Sequence, residues 1–412
     1  MIWHSLLLMY RNFKRFKGTF FINLIGLSSG LACALLIFLW VKDELSVDRF
    51  HEPGDRLVQV LTNHHNAGGI VTLEAGPGLL AEAMAEEVPE VKYAVSSSII
   101  PDNFILSWSN RHISATGQFV GKDFFNVFTY PLLHGDKEQV LKSKNAVVIS
   151  EGLARKLFGT TENVVGRTLD WQILHYGKPV VVTGVFRNIP SNSSSQYDFV
   201  LSYQEFKDML GDGLHWDNHQ SETYVLLQEG TNPEQFSRKI SGFIKGKLPS
   251  SNVTLLTRPY ADRYLYGTYE NGVQAGGRIA YVRLFSVVAV FILLIACINF
   301  MNLSTAKASR RIKEVGIKKA MGASRGSLVL HYMSESLLMA LASLIIALML
   351  VELTKAPFSN ITGKQLDLPY NPEFILTALG IAFVTGLLAG SYPALYLSGF
   401  KPAEVLRGRL EG

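Results

Sequence analysis

The sequence has 412 residues, of which 48% are hydrophobic and 18% charged, and its formal net charge is +5. A chain of this length has room for two or three soluble domains, but its apolar residues are gathered in long runs, which indicates a membrane protein. The excess positive charge lies beside those runs and so does not indicate nucleic-acid binding. The two cysteines, Cys33 and Cys297, both lie inside runs, which excludes a disulfide framework elsewhere.

The first segment, residues 1–17, is predicted to be a cytoplasmic amphipathic helix. Its apolar residues recur at helical spacing between Ile2 and Phe13, and its four basic residues lie toward its end, with no acidic residue. This pattern is typical of a helix that lies on membrane lipids and leads into a membrane-spanning helix.

Four apolar runs predict four transmembrane helices. The first run has 24 uncharged residues, and a helix of that length extends about 36 Å, more than the ~30 Å hydrocarbon core of a bilayer. A helix buried in a soluble core is usually shorter and carries a polar stripe. The first run lacks a cleavage site and is predicted to stay as an anchor. The predicted spans are residues 18–41, 284–306, 330–351 and 374–400.

The stretch 43–280 predicts a folded extracytoplasmic domain. The segments NAVVIS, KPVVVTGVF and TYVLLQEG have the β-branched character of strands. The segments EGLARKLFG and NPEQFSRKISGFIKGKL predict helices, the first with Ser150 as its N-cap and Gly159 just past its end. The predicted fold class is therefore an α+β membrane protein, with four transmembrane helices and a large mixed α/β extracytoplasmic domain inserted between helices 1 and 2.

The distribution of basic residues predicts the orientation. Residues 1–17, 307–325 and 401–412 together carry 14 basic and three acidic residues, whereas the rest of the chain carries 25 basic and 31 acidic residues. Cytoplasmic segments near spans are enriched in Lys and Arg. We therefore expect the N-terminus, the loop 307–327 and the tail 401–412 in the cytoplasm, and the domain and the short loop 352–373 in the periplasm of a bacterial inner membrane.

The loop 307–327 is the strongest candidate for a functional site. Wound as a helix over residues 308–322, it places Ile317 and Met321 one turn apart among charged side chains, and Gly322 at its end. Exposed apolar side chains within a basic rim suit docking into a groove on an acidic partner. The alternative is a solvated linker whose cations only set the topology. The residues assigned to the docking helix are Arg311, Glu314, Gly316, Ile317, Ala320, Met321 and Gly322. Lys319 lies on the apolar face without an explanation from the sequence.

Two glycine pairs indicate close helix packing. Gly26 and Gly30, and also Gly386 and Gly390, have the spacing that lets transmembrane helices approach closely. Packing within one chain and a homodimer interface both explain this pattern.

Glu335 and the histidines are weaker candidates. An intramembrane carboxylate such as Glu335 can mark an ion pathway, but near a helix start it complements the helix dipole, and the favoured interpretation is structural, with Arg325 or Lys319 as its partner. The histidines occur as His215 with His219 and as His64 with His65, and neither pair predicts a complete metal site.

Two blocks of sequence carry a resemblance to a known family. The block FVGKDFFNVFTYPLLHGDKEQVLKSKNAVVISEGLARKLFG resembles the periplasmic core domain of MacB-like permeases. The block ASRRIKEVGIKKAMGASRGSLVLHYMSESLLMALASLI resembles the signature loop and following helix of FtsX-like permeases. The resemblance implies a permease subunit of an ABC transporter of the mechanotransmission type, which acts in export or envelope transport. It also implies the coupling role for residues 308–322.

The same resemblance implies the partners. These are a separate cytoplasmic ABC ATPase that binds the ATP, a second copy or a second permease module, and a membrane-fusion protein with an outer-membrane channel. The chain itself is expected to bind no cofactor and to be no enzyme, since G-x-x-x-x-G-K-[ST] is absent and no catalytic constellation stands out.

Several alternatives stay open. A signal relay that regulates an envelope protein, such as a cell-wall hydrolase, would use the same coupling without transport. The ending SYPALYLSGFKPAEVLRGRLEG resembles the midpoint of duplicated permeases, so the chain is either a half-length relative or part of a longer protein. The sequence of residues 43–280 does not identify a substrate, because related permeases with similar folds handle different substrates.

Overall fold

A computed structural model describes residues 17–99, 103–306, 308–364, 368 and 370–400. The segment 1–16 of the amphipathic prediction and the tail 401–412 lie outside the described residues. The chain divides into two compact units: a membrane unit, from residues 1–43 and 281–412, and an external domain, residues 44–280.

The helices of the described residues are α1 (Lys17–Ser46), α2 (Leu80–Glu87), α3 (Phe124–Val127), α4 (Glu151–Phe158), α5 (Tyr203–Leu210), α6 (Pro233–Ile240), α7 (Phe243–Lys247), α8 (Ile279–Ala306), α9 (Ala308–Ala320), α10 (Arg325–Thr362) and α11 (Pro372–Gly399). The strands are β1 (Leu57–Asn66), β2 (Gly69–Leu73), β3 (Ala75–Pro77), β4 (Val91–Ser98), β5 (Asn103–Trp108), β6 (Arg111–Val120), β7 (Leu132–His134), β8 (Ala146–Ser150), β9 (Thr168–Ile173), β10 (Tyr176–Phe186), β11 (Phe199–Ser202), β12 (His219–Leu227), β13 (Val253–Pro259), β14 (Thr268–Glu270) and β15 (Val273–Gly276).

The external domain is built on one mixed sheet. Its strands follow the order β11-β8-β10-β9-β5-β6, and β11 also pairs with β6, so these six strands close into a ring. Large aromatic side chains, including Phe104, Phe119 and Trp171, fill the core of this ring. From β6 the sheet continues through β4, β12, β1 and β13. Together with the helices around it, this sheet confirms the predicted mixed α/β domain.

Local signals in this domain are also confirmed. Ser150 Oγ accepts a hydrogen bond from the Leu153 N–H at 3.2 Å, and Gly159 follows α4 with a φ of 74°. These are the interactions expected of an N-cap serine and a left-handed glycine at a helix end. The predicted helix over 232–248 is divided into α6 and α7, with Gly242 at the N-cap of α7, where a residue of poor helix propensity favours a break.

Among the described residues of the membrane unit, four helices are long and apolar enough to cross a membrane: α1, α8, α10 and α11. Their shared core consists mainly of leucine and alanine, including Leu31, Ala340 and Ala382. Helix α10 has 38 residues and continues to Thr362, so the first half of the segment 352–373, expected as a loop, is helical.

Candidate coupling site

Helix α9 occupies the predicted coupling segment and is attached to the membrane unit along one face. Val315 is fully buried, and Gly316 beside it is buried as well. The side chains that pack with Val315 come from α10 and α11: Leu328, Tyr332, Ala394 and Leu397. Arg311 lies in the same helix. A movement of α9 would therefore act directly on two of the transmembrane helices.

The opposite side of α9, together with the residue that directly follows the helix, carries the two apolar residues singled out from the sequence. The side chain of Ile317 is 54% exposed and that of Met321 is 82% exposed. Glu314 and Lys318 form an ion pair of 2.9 Å along the same helix, and Ala320 is exposed. Large exposed apolar side chains that are surrounded by charged residues are characteristic of the centre of a protein interface with a polar rim.

The end of α9 is fixed by backbone hydrogen bonds. Gly322 has a φ of 93°, and its N–H donates a hydrogen bond to the Lys319 carbonyl oxygen at 3.0 Å. The N–H of Ala323 donates to the Lys318 carbonyl oxygen at 2.9 Å. This pair of bonds is a Schellman motif, which confirms Gly322 as the helix terminator. Ser324 then caps α10, because its Oγ accepts from the Ser327 N–H at 3.2 Å. The end of α9 and the start of α10 are therefore both capped, with a short turn between them.

Lys319 turns out to connect α9 with the end of α11. Its Nζ donates to the carbonyl oxygens of Ser398, at 2.7 Å, and Phe400, at 2.6 Å. The last carbonyls of a helix lack intrahelical donors and carry partial negative charge, so a cation is favourable there. This role of Lys319 is not predictable from the sequence, because nothing in the linear pattern brings residue 319 close to residue 398.

Glu335 does not lie at a helix start. Because α10 begins at Arg325, Glu335 lies about three turns inside it, beyond the reach of the dipole effect, and that part of the prediction is wrong. Glu335 lines a cavity of about 60 Å³ together with Asn23, Ser304 and Ser336. A volume of that size is far below the ~300 Å³ of the smallest typical ligand pockets.

Both glycine pairs lie at contacts between helices of the same chain. A Cβ on Gly30 would come within 2.6 Å of the Ala296 Cβ on α8, and a Cβ on Gly390 within 2.7 Å of the Ser336 Cβ on α10. At Gly26 the nearest atom is Asn299 Nδ2, at 3.2 Å, and at Gly386 it is Leu337 Cδ2, at 3.0 Å. These glycines are therefore used for packing within one chain, and a homodimer interface does not require them.

Two family models match this chain, one after the other along the sequence. The profile of the MacB-like periplasmic core domain matches residues 20–243, and that of the FtsX-like permease C-terminal domain matches residues 286–402. The chain belongs to the MacB/FtsX-type permease family. As a permease with four spans and a periplasmic core domain, it is a multi-pass protein of the inner membrane.

Relatives of this permease include the macrolide export ATP-binding/permease protein MacB of Agrobacterium fabrum, 26% identical over 82% of this chain and 50% of the relative. The protein of the same name from Salmonella choleraesuis is 24% identical over 86% of this chain and 54% of the relative. The permease thus spans about half the length of the curated relatives it matches. A domain of a putative permease from Porphyromonas gingivalis is 25% identical, with a TM-score of 0.43, over 51% of this chain and 93% of that domain.

A partly buried ion network lies in the external domain of this permease. The carboxylate of Glu74 accepts from Arg258 Nη2 at 2.7 Å and from Arg263 Nε at 3.2 Å, and Arg263 also pairs with Glu222 at 2.8 Å. Burial alone would raise the pKa of Glu74, but the charge of Arg263 and the hydrogen bond from Arg258 lower it to about 2. Arg258 is only 3% exposed, so its charge depends on Glu74 for compensation.

His51 is buried among aromatic rings in the same domain. Its ring centroid lies 5.3 Å from that of Phe128 and 5.2 Å from those of Tyr130 and Tyr260. Its Nδ1 accepts from the Thr129 N–H at 3.1 Å, which requires the neutral ring. Burial lowers the pKa of His51 to about 4.

The other histidines that lie side by side in the structure are not the pairs that are close in the sequence. The rings of His64 and His219 lie 4.6 Å apart, between centroids. His65 instead contacts Thr254, and His215 is exposed. Within the described ranges no group of three or more metal-binding side chains occurs.

Proposed function

We propose that this chain is the permease subunit of an ABC transporter of the mechanotransmission type, and that α9 is its coupling helix. Two things support the proposal: the MacB/FtsX-type family, and a helix that is anchored by Val315 and Lys319 on one side while it exposes Ile317 and Met321 on the other. The proposed docking role rests on the exposure of Ile317 and Met321.

The docking partner in this proposal is a cytoplasmic ABC ATPase. Ile317 and Met321 would enter an apolar groove on it, and the basic residues of the loop would face acidic residues at the rim of the groove. The MacB relatives are named ATP-binding proteins, and this chain matches about half of their length. We therefore place ATP binding and hydrolysis on a partner and not on the matched residues.

The orientation belongs to the same proposal. The coupling loop 307–327 and both termini would face the cytoplasm, as their excess of Lys and Arg favours, and the external domain would face the periplasm. Closure of the ATPase would displace α9, and α9 would displace α10 and α11, to which it is attached.

The transport step is proposed to occur through movement of the external domain. The cavity of about 60 Å³ beside Glu335 is too small to hold a drug-sized molecule, which favours motion transmitted to the periplasm over passage through that cavity. Macrolide export is named for the relatives; for this chain we propose export or envelope transport as the class. A second copy or a second permease module, and a membrane-fusion protein with its channel, complete the assembly.

The docking role can be tested with one matched pair of variants. Ile317→Glu places a charge at the proposed interface, and Ile361→Glu makes the same change at an 84% exposed residue near the other end of α10. Each variant would be purified in detergent and mixed with the ATPase encoded beside its gene, and both complex formation and ATP hydrolysis would be measured. We expect Ile317→Glu to lose the complex and the stimulated hydrolysis, and Ile361→Glu to keep both. Wild-type behaviour of Ile317→Glu would overturn the docking proposal.

The orientation needs a separate measurement. A Met321→Cys variant, with Cys33 and Cys297 replaced by alanine, would be treated in intact cells with a membrane-impermeant maleimide. We expect labelling only after the inner membrane is opened. Labelling of residue 321 from the periplasmic side would exclude contact with a cytoplasmic ATPase.

A further inference from the structure

Two histidines that are 155 positions apart in the sequence lie side by side in the external domain. His64 is near the end of β1 and His219 is at the start of β12, and their ring centroids are 4.6 Å apart. Both side chains are half-buried, so solvent reaches them.

The hydrogen bonds around the pair determine which nitrogens carry protons. Thr62 Oγ1 lies 2.7 Å from the Ala75 carbonyl oxygen, which can only accept, so the hydroxyl donates there. The same Oγ1 therefore accepts from the Nε2–H of His64, at 3.2 Å. The Nδ1 of His219 lies 3.4 Å from the same Ala75 carbonyl and must also be a donor.

It follows that each ring keeps one lone pair for a ligand. The unprotonated nitrogens are Nδ1 of His64 and Nε2 of His219, and neither has a hydrogen-bond partner among the residues that the structure describes. Histidines that bind metals almost always donate their other N–H to an oxygen acceptor, which fixes the tautomer and the ring orientation. Both histidines already have this arrangement, and both use the Thr62 and Ala75 oxygens for it.

We propose that His64 and His219 form a binding site for a late first-row divalent metal ion, such as Ni²⁺, Cu²⁺ or Zn²⁺. Neutral imidazole is a preferred ligand of these ions. Among the described residues no third histidine, cysteine or carboxylate completes the set, so water fills the remaining positions.

The chain offers matched controls for a binding experiment. His65 follows His64 directly but bonds Thr254 at 3.0 Å, and His215 is exposed four residues before His219. Chains without an affinity tag would be purified in detergent and titrated with NiCl₂ by calorimetry. We expect one ion per wild-type chain, a loss of affinity of more than about tenfold in both His64→Gln and His219→Gln, and no more than about twofold change in His65→Gln and His215→Gln.

Electron paramagnetic resonance of the wild-type chain with one equivalent of Cu²⁺ gives a readout that does not depend on variants. Hyperfine coupling to two imidazole nitrogens supports the site, and coupling to one nitrogen or none overturns it. Circular dichroism would check that the glutamine variants keep the fold. Absence of one-to-one Ni²⁺ binding at about 100 μM metal, or an equal loss in His65→Gln, would also overturn the proposal.

Discussion

The ammonium group of Lys319, on α9, lies 2.7 Å from the carbonyl oxygen of Ser398, in the last turn of α11. Lys319 follows the exposed Ile317 by only two positions, so one short helix holds both an exposed apolar residue and an anchor to a transmembrane helix. A force applied at Ile317 would reach α11 through hydrogen bonds as well as through the packing of Val315.

Replacement of Lys319 by methionine should loosen α9. The variant keeps an unbranched side chain but removes both hydrogen bonds to the α11 carbonyls. Because the half-buried ammonium group would otherwise be hydrated by water, the two bonds together contribute about 1–2 kcal/mol. We expect hydrogen exchange of the α9 amides to accelerate about 5- to 30-fold, measured by mass spectrometry in detergent.

The neighbouring Lys318 supplies the control. Its Nζ pairs with Glu314 within the same helix, at 2.9 Å, and such i,i+4 pairs contribute only about 0.3–0.5 kcal/mol. Lys318→Met should therefore change exchange by no more than about twofold. Equal acceleration in the two variants would show that the carbonyl contacts of Lys319 do not hold α9.

Gly390→Ala should destabilise the membrane unit. The new Cβ would lie 2.7 Å from both the Cβ and the Oγ of Ser336, so α10 and α11 would have to separate, at about 1–3 kcal/mol. Gly380, on the same helix, has open space within 4 Å of the point where a Cβ would stand, and Gly380→Ala should be neutral or stabilising by up to about 1 kcal/mol. Unfolding by SDS in mixed micelles would compare them, and similar stabilities would contradict close packing at Gly390.

The sequence predicted those features that depend on neighbours along the chain. The four spans follow from apolar length, and the ends of α4 and α9 follow from Ser150, Gly159 and Gly322, whose effects act within one turn. The N-cap role of Ser324 is also predictable from the sequence, because a serine precedes the apolar run of α10.

The features that were missed depend on contacts between distant segments. Lys319 meets Ser398 only after α10 and α11 have packed, and His64 meets His219 only after β1 and β12 have come together in the sheet. Glu335 was misplaced for a local reason: the helix begins at Arg325, before the apolar run does, because polar residues can form the first turns of a capped helix.

Loss of the Glu74 charge should destabilise the external domain. Glu74→Gln removes the counter-charge of Arg258, which is 3% exposed, and breaking a fully buried ion pair costs about 3–5 kcal/mol. Because the side chain of Glu74 is itself 40% exposed, water compensates part of this loss, and we expect about 2 kcal/mol.

Urea unfolding of the full chain in detergent, followed by near-ultraviolet circular dichroism, would measure this loss. The control is Glu90→Gln, which removes one partner of a surface pair with Lys239, at 2.6 Å, and should change stability by less than about 1 kcal/mol. If Glu74→Gln were as stable as Glu90→Gln, the network would contribute no more than a surface pair.

His51 should make the external domain sensitive to acid. Its pKa is lowered from 6.5 to about 4 by burial, so between these pH values the unfolded chain binds a proton that the folded domain does not. Stability must then rise with pH across this window and fall on acidification, by about 3 kcal/mol for a shift of this size. Below about pH 4 both states are protonated and the contribution of His51 to the pH dependence ends.

The contribution of His51 can be separated from that of the carboxylates by a difference between variants. In His51→Asn the side-chain Oδ1 can accept from the Thr129 N–H in place of Nδ1, but the residue no longer titrates. We expect this variant to be less stable at pH 7 and to lose about 3 kcal/mol less than the wild type between pH 7 and pH 4. His175→Asn, at an exposed position between β9 and β10, should follow the wild-type curve. Parallel curves for His51→Asn and the wild type would mean that His51 takes up its proton in the folded domain as readily as in the unfolded chain. The aromatic surroundings would then not hold the buried ring neutral.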